Sequence, residues 1–298
     1  MSTPAPPTIL VWGEVLWDRF PDGDQLGGAP ANVAYHLGLI GQAAGDALRP
    51  ALVSRVGDDA DGTRAIARLA TVVDARLVQR DDAHATGEVT VTLVGGEPRY
   101  RLVPGRAWEH IALTDEVRAA LRTARALVFG TLSQRTASGL ATFAEALAAA
   151  PSTCVRVCDP NLRPGTVDVA ALRLALDAAD VVKLGATELA ACAAALDEPD
   201  LLTTLRRRCR LVAVTRGADG STLYAGDEQR EQPASPARPG GDNVGCGDAY
   251  VAAITAGVVL GWPLAKIGAV AARWSAEVAS ARGAPPVVTD DTASALLA

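Results

Sequence analysis

The strongest constraint on this chain is a rhythm. Short runs rich in Val, Leu and Ile alternate with longer amphipathic segments over most of its 298 residues. Strands are expected at 8–13, 51–56, 126–130, 153–159, 181–184 and 211–215. Helices are expected at 30–40, 61–70, 115–122, 136–149, 169–178 and 187–196. That order builds an α/β fold of three layers, a mostly parallel sheet with helices on both faces. The apolar runs lack strict alternation, as strands covered on both sides should.

Two stretches interrupt the rhythm. Residues 15–20 form a strand pattern one residue after the first, and 87–103 holds two alternating runs joined at Gly95, Gly96 and Glu97, which reads as a hairpin. Both must pack away from the main sheet. We expect a small β flap, drawn from about 14–28 and 86–104, over the crevice at the carboxyl ends of the parallel strands. The stretch 247–281 reads as almost wholly helical. No linker or repeat divides the chain, so one domain spanning 1–298 is expected.

Composition narrows the function. A net charge of −6 opposes nucleic acid or a polybasic membrane contact as partner. Arg206, Arg207, Arg208 and Arg210 form the one dense basic run, read as the solvated end of a helix. Lys183 and Lys266 are the only lysines among 28 basic residues, and neither follows a glycine, so no phosphate-loop lysine exists. Motifs for dinucleotide binding, elbow-type serine hydrolases and zincins are equally absent. Five unpaired cysteines read as buried reduced thiols. The first residues carry no charged, apolar leader, and the longest apolar run, 250–262, is too short for a bilayer. Cytoplasm is the expected compartment.

Two glycine-rich segments carry the chemistry. The first, Gly-Gly-Asp-Asn-Val-Gly-Cys-Gly-Asp-Ala at 240–249, opens a strongly helical run. Amides at such a helix start converge on an anion, and the helix dipole adds to them. Asp248 beside that cradle fits a base for an attacking hydroxyl, with Gly245, Cys246 and Gly247 stabilising a phosphoryl group in flight. The plainer alternative for Asp248 is an N-cap after a flexible turn. The second segment, Gly-Gly-Ala-Pro-Ala-Asn-Val-Ala at 27–34, places Gly27 and Gly28 before a helix and Pro30 in its first turn. Asn32 donates and accepts, which suits a sugar hydroxyl, although an exposed helix residue is the bland alternative. Asp18 at the flap entrance can grip vicinal hydroxyls or simply serve a turn.

The two segments and their spacing resemble the two signatures of the ribokinase/PfkB family of carbohydrate kinases, above all its fructokinase-like branch. Further ordered matches are GEVLWD, SRVGDDADG, the FGT at 129–131, DPNLRP at 159–164 and VTRGADGS at 214–221. The resemblance implies a ribokinase-like fold with a β lid, and transfer of the ATP γ-phosphate to a sugar hydroxyl. It implies Asp248 as base, Gly245, Cys246 and Gly247 as anion hole, and sugar contacts from Asp18, Gly28 and Asn32. ATP phosphates are expected near Thr215, Arg216 and Gly217. Adenine would lie under 269–280 and 217–220, thus against Gly220, with Arg163 as a phosphate or substrate contact. Glu188 holds the place of the acid that organises Mg²⁺ through water, and Asp242 that of a residue holding a monovalent cation, so K⁺ joins ATP and Mg²⁺ among the cofactors.

The family's Asn-x-x-Glu reads Gly185-Ala186-Thr187-Glu188 here, and a first-turn helix acid is the plainer alternative for Glu188. Cys246 replaces a common Ala, and a thiol at a helix start invites a test of its reactivity. His36, His84 and His110 read as structural or solvated, while Trp12, Trp17 and Trp108 are candidates for lining a sugar cleft. Fructose is the leading substrate. A nucleoside, ribose or 2-keto-3-deoxygluconate kinase is the enzyme alternative, and a sugar-binding regulator without catalysis the other. A homodimer stays open, with the short segment from Asp18 to Gly27 counting against pairing through the flap.

Overall fold

The computed structural model describes residues 5–20, 23–94, 97–162, 167–281 and 289–297. The strands are β1 (Thr8–Trp12), β2 (Leu16–Phe20), β3 (Gly23–Gly27), β4 (Arg49–Gly57), β5 (Val78–Asp81), β6 (Gly87–Val94), β7 (Glu97–Leu102), β8 (Ala126–Phe129), β9 (Val155–Cys158), β10 (Val181–Gly185), β11 (Leu211–Thr215), β12 (Ser221–Ala225) and β13 (Glu228–Gln232). The helices are α1 (Ala29–Ala43), α2 (Ala60–Leu69), α3 (Asp115–Thr123), α4 (Ala137–Ala149), α5 (Val169–Ala178), α6 (Ala186–Leu196), α7 (Leu201–Arg208), α8 (Cys246–Val259), α9 (Leu264–Ala279) and α10 (Asp290–Leu297).

The large sheet has the order β13-β12-β11-β10-β9-β8-β1-β4-β5. Every neighbouring pair from β11 to β5 is parallel. The β12–β13 hairpin continues the β11 edge antiparallel. From β1 the chain builds outward to β4 and β5, then returns to β8 and builds the other way. The strand order therefore reverses between β1 and β8, which opens a crevice at their carboxyl ends.

Alternate side chains of these strands feed two cores. Ile9, Val11, Val128, Val157 and Ala213 point to one, which Leu37 and Ile40 of α1, Ile254 of α8 and Trp274 of α9 close. Leu10, Trp12, Leu127, Phe129, Val182 and Leu184 point to the other, closed by Leu121, Phe143, Leu172 and Leu205 of α3, α4, α5 and α7. Each such fully buried Leu or Phe contributes roughly 2 kcal/mol of transfer free energy. Four helices on the outside of this frame start on side-chain caps. Asp59, Thr114, Thr136 and Asp168 accept from backbone N–H groups in the first turns of α2, α3, α4 and α5.

A second, four-stranded sheet has the order β3-β2-β6-β7. It leaves the main sheet three residues after β1 and returns through β3 directly into α1, so it grows from the crevice end of β1. Arg19 of β2 forms ion pairs with Asp24 of β3, Asp61 of α2 and Glu88 of β6, and Arg64 reaches Asp24 at 2.9 Å. The β6–β7 hairpin matches the expected one, with Val94 paired to Glu97 across the turn.

Six elements lie outside the expectation. The strands β3 (GDQLG) and β13 (EQREQ) have little apolar content and each pairs along a single backbone edge, so neither shows a strand pattern. β5 (VQRD) and β12 (STLYA) each hold a single Val or Leu, and α7 and α10 are two-turn helices. The basic run does end a helix: Arg206, Arg207 and Arg208 form the last turn of α7, where Arg208 binds Asp177 at 2.8 Å. No helix among the described residues is long and apolar enough to cross a membrane.

Candidate active site

Two helices start on a glycine of positive φ instead of a capping side chain. α1 begins after Gly28, which has φ 101°, and α8 begins after Gly245, which has φ 78°; neither has a side-chain cap. Only glycine is comfortable in that left-handed region. At Gly28 a Cβ would also collide with the backbone carbonyl of Glu14. No capping side chain takes the first-turn amides of either helix, and the Cys246 amide lies 3.4 Å from the Asn243 carbonyl.

The two helices are joined by one hydrogen bond. Asn32 Nδ2 of α1 donates to Asp248 Oδ2 of α8 at 2.8 Å, linking residues 216 positions apart. Asn32 is 5% exposed and Asp248 9%. Asn32 Oδ1 is buried with no hydrogen-bond partner among the described residues. Next to this pair the crevice is lined by Glu14, Pro30, Gly130, Thr131, Asp159 and Asn161. Thr131 Oγ1 donates to the Pro160 carbonyl at 2.8 Å, tying the end of β8 to the loop after β9.

The other expected site residues fall as follows. Asp18 stands in β2, opposite Gln25 and Val89, with its carboxylate over Gly27 in the space a Cβ there would fill. Glu188 accepts from the amides of Leu162 at 2.7 Å and Gly185 at 3.1 Å, which makes it a helix-start acid and a tie to the 160–162 loop at once. Asp242 Oδ1 accepts from the Val244 amide at 2.9 Å. Thr215 ends β11; Gly217 and Gly220 bound a single 3₁₀ turn after it. The Arg216 guanidinium is bound by Thr222 at 2.7 Å and Glu231 at 2.9 Å, on the antiparallel edge. Arg163 lies outside the described residues. No group of three or more His, Cys, Asp or Glu placed to hold a metal occurs among the described residues.

Two expectations are corrected. Burial, and then the charges of Asp242 and Asp248, push the Cys246 thiol up to about 11, so a reactive thiolate does not form there despite the helix start. The tryptophans do not line the cleft. Trp12 packs on Phe143 in the core; Trp17 donates to the Asp61 carbonyl beneath Arg64, and Trp108 is fully buried under Arg135. The histidines are structural: His36 is buried and accepts from Trp274 Nε1 at 3.2 Å, while His84 pairs with Asp81 and stacks on His110.

Sequence reading missed one ion pair. Lys183 of β10 places Nζ 3.2 and 3.3 Å from the two Asp159 oxygens, both residues nearly buried. The signal was present in the composition, since a chain of this kind uses arginine almost everywhere else.

A fold of this topology, with two glycine-opened helices meeting at its switch point, has close parallels. A fructokinase of Klebsiella pneumoniae is 30% identical over 282 residues, covering 84% of this chain and 84% of its own. The crystal structure of a sugar kinase from Pyrococcus horikoshii superposes with TM-score 0.79 at 25% identity, covering 98% of this chain and 100% of that one. A fructokinase from Xylella fastidiosa with bound ATP gives TM-score 0.81 at 24% identity, with 93% of each chain covered. The model of the pfkB family carbohydrate kinases matches residues 23–290, a span that holds both glycine-opened helices and the Asn32–Asp248 bond. By that match, over most of its length, this chain belongs to the pfkB family of carbohydrate kinases.

Proposed function

We propose that this chain transfers the γ-phosphate of ATP to a hydroxyl of a small sugar, with fructose the leading acceptor. The observation that carries the reading is the Asn32–Asp248 bond at the junction of α1 and α8. The sugar would dock against Asp18, Gly28 and Asn32, its hydroxyl donating to the unpartnered Asn32 Oδ1. Asp248 takes the proton of the attacking hydroxyl as the oxygen closes on phosphorus. The amides of Gly245, Cys246 and Gly247 meet the charge on the phosphoryl oxygens. The β2-β3-β6-β7 sheet serves as the lid that excludes water, the competing acceptor.

ATP would lie over Thr215, Gly217 and Gly220, beneath α9. The side chain of Arg216 is held elsewhere, so its contribution there is through the backbone. Magnesium bound with the nucleotide would supply charge neutralisation at the phosphates, and Glu188, fixed by two amides, is the residue that would hold it through water. Asp242 is the candidate for K⁺. Fructose leads because the K. pneumoniae and X. fastidiosa relatives are fructokinases. A nucleoside acceptor is less favoured, because Trp17 and Trp108 are packed away from any base.

Asp248→Asn tests the reading. It keeps the size of the side chain and removes the base. Turnover is expected to fall about 1,000-fold, with sugar affinity by calorimetry within about threefold of wild type. Turnover within tenfold of wild type would reassign the base.

A further inference from the structure

The chain has 26 arginines by subtraction of its two lysines, Lys183 and Lys266, from 28 basic residues. Where a cation alone suffices, this sequence supplies arginine. Lys266 is exposed and lies over the Trp262 ring at 5.0 Å. Lys183 is different in every respect. It sits in the middle of the sheet, 8% exposed, between Val182 and Leu184, which face the opposite core. Its side chain therefore enters the face that holds α8, where the neighbouring positions Val181 and Ala213 are apolar.

A Cβ built on Gly247 would stand 3.0 Å from Lys183 Nζ, so the ammonium presses against the first turn of α8. That turn is the positive end of the helix dipole, where a cation is unfavourable and an anion favourable. Lys183 and that helix end are two positive features at one buried spot; Asp159, the residue after β9, pairs with the ammonium, and the charges of Glu188 and Asp248 add to it. A buried ion pair of this sort is commonly no more stable than an apolar replacement. Burial alone would lower the Lys183 pKa; Asp159, Glu188 and Asp248 outweigh it and raise it, so the group stays an ammonium.

We propose that Lys183 is a catalytic cation of the phosphoryl transfer, reaching the transferring group from beneath the Gly245, Cys246 and Gly247 amides, and that Asp159 is the positioning residue that holds it there. This rests on the sugar-kinase reading given above. In the step itself the bond from the γ-phosphorus to the β,γ-bridging oxygen breaks and ADP leaves. A bond from the sugar oxygen to phosphorus forms, and the hydroxyl proton goes to Asp248. Lys183 keeps its proton throughout and faces the negative oxygens of the group in flight. Lysine is required because its slim ammonium fits between β10 and Gly247, whereas the planar guanidinium of arginine is longer and broader.

The test compares wild type with the double variant Lys183→Met/Asp159→Asn, which removes both charges at nearly constant volume. The melting temperature, fructose binding and ADP binding are measured beside turnover. We expect a folded protein with fructose and ADP affinities within about threefold of wild type, and kcat lower by about 100-fold or more. Binding of ADP with aluminium fluoride in the presence of sugar, which mimics the phosphoryl group in flight, should weaken by a similar factor. Lys183→Gln, which keeps a donor to Asp159, must show the same loss, and supplies the test alone if the double variant does not fold. Lys183→Arg must not restore turnover. A folded double variant or Lys183→Gln with kcat within about fivefold of wild type, or a fully active Lys183→Arg, overturns the inference. Wild type without turnover on any sugar would fail the sugar-kinase reading and this inference with it. Active wild type with active variants would fail this inference alone.

Discussion

The helices α2 to α5 and the helices α1 and α8 solve the same problem in opposite ways. Each helix must satisfy the free N–H groups of its first turn. The first group does so with Asp59, Thr114, Thr136 and Asp168, side chains that close the end and stop there. The second group starts on Gly28 and Gly245, with positive φ and no capping side chain. A capped end contributes stability; an open end leaves donors for a substrate. Four buried polar residues lie at or beside the open ends: Asn32, Asp248, Asp159 and Lys183.

The sharpest way to break that contrast is Gly247→Ala. Alanine favours a helix over glycine by roughly 1 kcal/mol, so stability by denaturant titration should hold or rise. The new Cβ would meet Lys183 Nζ at 3.0 Å and crowd the proposed anion cradle. Turnover is expected to fall about 100-fold. Unchanged turnover would mean that the open end is an accident of packing.

Next in size is an acid effect within α1. Complete burial lowers the His36 pKa from 6.5 to about 3. The folded state therefore refuses a proton that the unfolded chain accepts. Stability from this group is complete above pH 6.5 and is lost as pH falls from there toward 3, by about 1.4 kcal/mol per unit. In His36→Gln the slope of unfolding free energy between pH 6 and 4 should decrease by about one proton. An equal slope in both proteins would contradict the burial account.

Smallest is the cap control. Thr136→Ala removes the bond to the Gly139 amide, 3.0 Å long, and should cost about 1 kcal/mol of stability with turnover unchanged. A loss of turnover there would erase the distinction between the two kinds of helix start.

Much of the frame was legible because local pattern and burial agree. The expected helix at 169–178 is α5 residue for residue, and the strands of the parallel sheet lie where Val, Leu and Ile cluster. The hairpin of β6 and β7 followed from its alternation. β3 and β13 were not legible, since GDQLG and EQREQ become strands only through backbone pairing with β2 and β12. In the site, Asp248 and Asn32 each carry their own local chemical signal in the sequence. Their direct bond is a product of helix packing across 216 positions, which no local spacing encodes. Lys183 was passed over because its meaning depends on Asp159, 24 positions away, and on Gly247. Cys246 misled for a related reason: the helix start argues for a thiolate, and burial beside two acids prevails.

The most direct measurement is ADP release by the wild-type chain from Mg·ATP, with and without potassium, against fructose, ribose, 2-keto-3-deoxygluconate, glucose and adenosine. A phosphotransferase built on the open ends of α1 and α8 should release ADP strongly with one acceptor, fructose, and weakly with the rest. ADP release with none of them, while calorimetry still records sugar binding, would contradict that account and leave a sugar-binding protein without catalysis.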